Sequence, residues 1–93
     1  MPSVKDIVVK KPSPEETDQC EVWPTWTCGV SEFDWEYGQT ETCLVLEGEV
    51  TITDLPDSGE SVSFGPGDLV TFPVGLECVW KVTAPVRKHY NFS

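Results

Sequence analysis

Glycine and proline cut this chain into short pieces, and the pieces between them alternate. Breaks fall at Pro12 and Pro14, at Pro24, at Gly29, Gly38 and Gly48, and through Pro56 to Gly59. They continue at Gly65-Pro66-Gly67, at Pro73 and Gly75, and at Pro85. Such spacing favours strands of four to eight residues joined by tight turns over a long helix. Residues 31–37 show the clearest period of two: Phe33, Trp35 and Tyr37 alternate with Glu32, Asp34 and Glu36, the pattern of a strand with one buried and one wet face. Gly38-Gln39-Thr40 interrupts it. Residues 41–46 resume as a strand that places Glu41 on the same parity as Cys43 and Val45.

The rest of the chain follows the same rule. Val4, Ile7, Val8 and Val9 predict an N-terminal strand over 4–9, and Ser13-Pro14-Glu15-Glu16 has the cap, first-turn proline and acidic third position of a helix about one turn long. Residues 22–28, VWPTWTC, hold a proline between two tryptophans and read as an edge strand. Leu55-Pro56-Asp57-Ser58-Gly59 is turn chemistry joining strands 49–54 and 60–64 into a hairpin. A short strand over 69–72, another over 77–82 ended by Ala84-Pro85, and a last one over 86–92 complete the set. Eight or nine short strands make this an all-β sandwich or barrel, a single domain over residues 1–93.

The spacing carries more than a fold class. Gly29, Trp35, Tyr37, Glu41 and Gly48 are separated by five, one, three and six residues, and Gly67, Pro73, Gly75 and Cys78 by five, one and two. These two stretches, 29–48 and 67–82, resemble the two sequence motifs of the cupin superfamily. Their glycines, the proline and Glu41 match. Trp35, Tyr37 and Cys78 stand where cupins place histidine metal ligands, and Val82 replaces a terminal asparagine. Within the superfamily, WPTW, SEFDWEY, ETCLVLEG and GDLVTFPVGLECVWKV are similar to the small single-domain cupins grouped with ureidoglycine aminohydrolase. The resemblance implies a jelly-roll β-barrel (RmlC-like) with at most a short N-terminal helical turn, and a homodimer.

It also implies that Trp35, Tyr37, Glu41 and Cys78 converge inside the barrel, with Cys43 and Trp80 one step away. Imidazoles are what such a site needs to hold iron, manganese or zinc, and they are missing. Indole nitrogen is a donor only, phenol is a reluctant ligand, and Glu41 with Cys78 would supply two ligands where about three are usual. No cofactor is expected; if a divalent metal bound, Glu41 and Cys78 would hold it. Glu41 inside an apolar barrel must be protonated or partnered; it reads either as an acid/base or ligand-anchoring group or as a carboxyl satisfied by the Tyr37 hydroxyl and a tryptophan N–H. His89 shares parity with Arg87 and Asn91, opposite Tyr90 and Phe92, which puts the chain's one histidine on the polar face.

The expected function is binding of a small polar molecule in an aromatic pocket of Trp35, Tyr37, Glu41, Cys43, Cys78 and Trp80. The rival is a metal-dependent, ureidoglycine aminohydrolase-like enzyme with Glu41 and Cys78 as catalytic residues, helped by Cys43 or His89. A third reading is a structural or interaction module. Sixteen acidic residues against six lysines and arginines argue against a nucleic-acid partner. No stretch reaches the roughly 20 apolar residues of a membrane span, nor does residues 1–11 resemble a secretory signal, so the expected location is the cytoplasm or another soluble intracellular compartment. There the four cysteines should stay reduced. Strands apolar on both parities, such as 43–46, call for cover on their outer side, and a second subunit is the expected cover.

Overall fold

A computed structural model describes residues 2–56 and 58–93. Seven strands, all paired antiparallel, form one continuous sheet: β1 (Val8–Lys10), β2 (Thr25–Cys28), β3 (Ser31–Glu36), β4 (Glu41–Asp54), β5 (Ser61–Phe64), β6 (Leu69–Phe72) and β7 (Glu77–Phe92). One helix, α1 (Pro14–Cys20), precedes β2. β4 and β7 are the spine. The start of β4 lies between β6 and the end of β7, and its far half lies between β5 and the start of β7. β7 in turn carries β3 along its first half and β2 along its second. The two halves thus belong to different walls, and side chains from both, including Val45, Val70 and Val86 from one and Val50, Ile52 and Val82 from the other, meet in a single core.

Two expected breaks turn out to be bends. Gly48 and Pro85 lie inside β4 and β7, and neither strand ends there. The register between the two strands shifts at Val45/Glu47, Glu47/Glu49 and Glu49/Val50, and the buried parity of β4 changes from Glu41, Cys43 and Val45 to Val50, Ile52 and Asp54. Bulges bend a strand while keeping its partner, which is how one strand serves two walls. Gly48 makes the corner feasible: it sits at φ +95°, and a Cβ there would overlap the Pro85 carbonyl oxygen and come within 2.6 Å of Val86 Cα.

The N-terminus differs from the expected strand. Residues Val4–Asp6 form a 3-10 turn, because Ser3 and Asp6 make a reciprocal capping box and the Val4 N–H donates to Asp54 Oδ1 at 2.8 Å. Only Val8–Lys10 is a strand, paired with β6. α1 begins where Ser13-Pro14-Glu15-Glu16 predicted and is closed by the same kind of box, Ser13 with Glu16, but runs seven residues rather than one turn. Its extra length has a use. Cys20 and, beyond it, Trp23 cover Leu44 and Leu69 on the outside of β4 and β6. Part of the outer apolar face of β4 and β6 is therefore covered by the chain's own helix and the residues that follow it.

Candidate functional site

The residues that alternate in β3 open one end of the barrel. Tyr37, just past the strand, is held by two backbone bonds: its N–H donates to Leu76 O at 2.9 Å, and its carbonyl accepts from Gly75 N–H at 2.7 Å. Gly75 reaches this position at φ +86°. So fixed, the Tyr37 ring stacks on Phe72 at 4.9 Å between centroids, and its hydroxyl accepts the Trp80 indole N–H at 3.0 Å. Burial, reinforced by the carboxylate of Glu41, raises the Tyr37 phenol far above its ordinary range, so the hydroxyl stays protonated. Its own proton meets no acceptor among the described residues. Trp80 packs against Phe33 at 6.1 Å and Trp26 at 5.9 Å, and Trp35, 47% exposed, stands edge-on to Tyr37 at the rim.

Trp26, Phe33, Trp35, Tyr37 and Trp80 line an open-mouthed cavity of about 230 Å³ whose polar lining includes an ion pair. Lys88 Nζ donates to Glu41 Oε2 at 2.8 Å, with both side chains 5% exposed. The ammonium also lies 4.7 Å from the Trp80 ring centroid and 5.1 Å from that of Trp26, close enough for cation–π attraction. Glu41 makes that one bond through Oε2. No buried side-chain oxygen or nitrogen among the described residues lacks a partner, so Oε1, which has none, opens on the cavity that Glu41 lines. Tyr90 and Phe92, inward from the end of β7, complete the wall.

Of the six residues expected in the pocket, Trp35, Tyr37, Glu41 and Trp80 line it. Cys43 and Cys78 do not. Both are fully buried in the apolar core, where the Cys78 thiol donates to the Trp35 carbonyl at 3.6 Å. Burial pushes the Cys43 thiol up to about 12 against the opposing pull of Lys88, and burial with the nearby Asp54 carboxylate does the same for Cys78. Neither is a thiolate at neutral pH, so neither is equipped as a nucleophile or a ready ligand. His89 faces away from the cavity, with Nδ1 2.9 Å from the Trp23 carbonyl oxygen. All four cysteines are free.

The decisive omission is Lys88. Its signal was present: between Val86, Tyr90 and Phe92 on the inward parity of the last strand stands a lysine. It also supplies the partner of Glu41, which is this ammonium; the Tyr37 hydroxyl accepts from Trp80 instead. For a metal the donor set does not fit. No group of three or more His, Cys, Asp or Glu side chains among the described residues could hold an ion, and Lys88 already supplies the positive charge beside Glu41.

Comparison with known proteins agrees on the fold. The profile of the EutQ-like cupin domain matches residues 15–90. The crystal structure of a DUF861 family protein from Thermotoga maritima is similar at TM-score 0.88 and 48% identity, covering 95% of this chain and all 100% of that one. The EutQ protein of Clostridium difficile is similar at TM-score 0.65 and 25% identity over 73% of this chain, which spans 52% of that one. The cupin domain of an XRE family transcriptional regulator from Enterobacter cloacae shares the fold at TM-score 0.51 and 18% identity, over 90% of this chain and 92% of that one. No curated protein matches.

Proposed function

This chain belongs to the EutQ-like cupin family, and we propose that it binds a small organic molecule in the aromatic cavity, anchored by the Glu41–Lys88 pair. One observation carries the reading: a desolvated ion pair sits on the floor of a ring-lined cavity with one carboxylate oxygen open to it. Ion pairs buried only for stability are commonly no better than apolar replacements, and a packed core would leave no such volume. Concave, mostly apolar sites with a few fixed polar groups are the usual form of small-molecule sites. No helix among the described residues is long and apolar enough to cross a membrane.

An aminohydrolase-like reaction through Glu41 and Cys78 draws no support from this arrangement, since Cys78 is not on the cavity wall and its thiol is held protonated. A structural or interaction role is weighed by the same cavity, which such a role has no need to keep open. The test is a library of one-ring and two-ring compounds screened by thermal shift and by the fluorescence of Trp26, Trp35 and Trp80, which face the cavity. A ligand at about 100 times its Kd adds about 2.7 kcal/mol of stability, a shift well above noise. Hits lost in Trp35→Ala and in the double variant Glu41→Gln/Lys88→Met are expected. Hits that survive both changes, or none across the library, would overturn the proposal.

A further inference from the structure

Resting on that reading, the cavity's charge balance and size say what class of molecule it takes. Lys88 and Glu41 neutralise each other at 2.8 Å, and the remaining wall is aromatic. An anionic ligand would set a second negative charge beside Glu41 on a single ammonium. A cationic ligand would set a second positive charge beside Lys88 on a single carboxylate. Either leaves net charge in a place where unpaired charge is costly. A neutral ligand disturbs nothing.

Among the lining residues, which also include Tyr90 and Lys88, two offer opposite hydrogen-bonding roles. Glu41 Oε1 is an open acceptor, and the Tyr37 hydroxyl, already accepting from Trp80, has its proton to give. The floor therefore asks for a donor and an acceptor on the same molecule. Size narrows it further. About 230 Å³ lies under the roughly 300–1,000 Å³ of sites for drug-sized ligands and above the ~150 Å³ that accommodates one benzene. That is room for one ring and a small substituent, with Trp26, Phe33 and Trp35 available to its faces.

We infer that the cavity selects a neutral, single-ring molecule bearing an N–H or O–H donor beside a carbonyl-type acceptor, the donor meeting Glu41 and the acceptor meeting Tyr37. Titration calorimetry with four probes of one shape tests it: benzamide, benzoate, benzamidinium and toluene. Benzamide should bind roughly tenfold more tightly than each of the others, the difference a hydrogen-bonded anchor of about 1.4 kcal/mol makes. In Glu41→Gln/Lys88→Met, which removes both charges together, its advantage over toluene should shrink. Should that variant fail to fold, the wild-type series decides alone. Benzoate or benzamidinium as the tightest probe would overturn the charge argument and leave the cavity a binding site. Toluene equal to benzamide would overturn the donor and acceptor roles. Binding of none of the four would overturn this inference, and the library of one-ring and two-ring compounds would then decide separately the function it rests on.

Discussion

Removing the Lys88 ammonium while keeping its volume, Lys88→Met, tests the centre of the site. The substitution leaves Glu41 5% exposed among Phe72, Trp80 and Tyr37, with no cation beside it. Breaking a buried pair from one side costs about 3–5 kcal/mol, since the survivor keeps its desolvation cost and loses its partner. The lost contacts of the ammonium with Trp26 and Trp80, at 5.1 and 4.7 Å, act in the same direction. A chain of 93 residues has a total stability of about 5–14 kcal/mol, so one side chain accounts for about a fifth of it or more. At roughly 4–8 °C per kcal/mol for a domain of this size, Tm should fall by well over 10 °C. Glu41→Gln, which strands the ammonium instead, should cost a similar amount. The double variant should stand near wild type or above it, because two neutral side chains of similar volume replace both charges. Urea unfolding followed by tryptophan fluorescence gives the four stabilities of the cycle. Single losses under about 1 kcal/mol, or a double loss equal to the sum of the singles, would refute the account of a tightly coupled, desolvated pair.

Three further outcomes follow from other parts of the fold. With iodoacetamide at pH 8 the native protein should label at half-buried Cys28 well before Cys43 or Cys78, whose thiols stand at about 12; mass spectrometry that finds either buried cysteine alkylated as fast as Cys28 would contradict their placement. Gly48→Ala should cost about 3 kcal/mol or more, from the positive φ and the overlap with Pro85 together, and a Tm within 2 °C of wild type, by the ~4–8 °C per kcal/mol scale, would rule that out. Burial would raise the Asp68 carboxyl, but the Lys11 ammonium at 2.7 Å and the Gly65 N–H outweigh it and hold the group below its ordinary value. A depressed carboxyl contributes stability above about pH 4 and loses it as pH falls through the folded value, so the gap between wild type and Asp68→Asn should close on acidification. A gap that stays constant from pH 7 to pH 3 would show that the ion pair is not its source.

What could be read from the residues depended on how local the signal was. The helix start at Ser13 and the turn around Gly67 are written in adjacent residues, and the structure has them where the local chemistry puts them, while the turn expected over 55–59 includes Asp57, which lies outside the described residues. Gly48 and Pro85 are harder, because each looks like a stop when taken alone; only their meeting across β4 and β7 makes them a corner. The site divides the same way. Alternation gave Trp35 and Tyr37 their side of the strand, and spacing singled out Glu41. Parity says which side a residue faces and nothing of its depth, so Cys43 and Cys78 were placed with the rings although they lie in the packed core. Lys88 was passed over because a lysine is ordinarily exposed. Its partner is 47 residues away in the chain, beyond the reach of any local pattern.

The spine has a consequence for the order of events during synthesis. β7 pairs with β2, β3 and β4, and it follows all three in the chain. Until it has left the ribosome β2 and β3 have no partner strand and both walls end at an open edge of β4, so no earlier portion of the nascent chain can reach a settled state. Folding must wait for the last strand and then close many distant pairings at once, a route that is intrinsically slow. Lys88 arrives in that same final stretch. The cavity's floor therefore becomes electrically neutral only as the barrel shuts, and a nascent chain stalled before residue 88 would lack the cation that burying Glu41 requires.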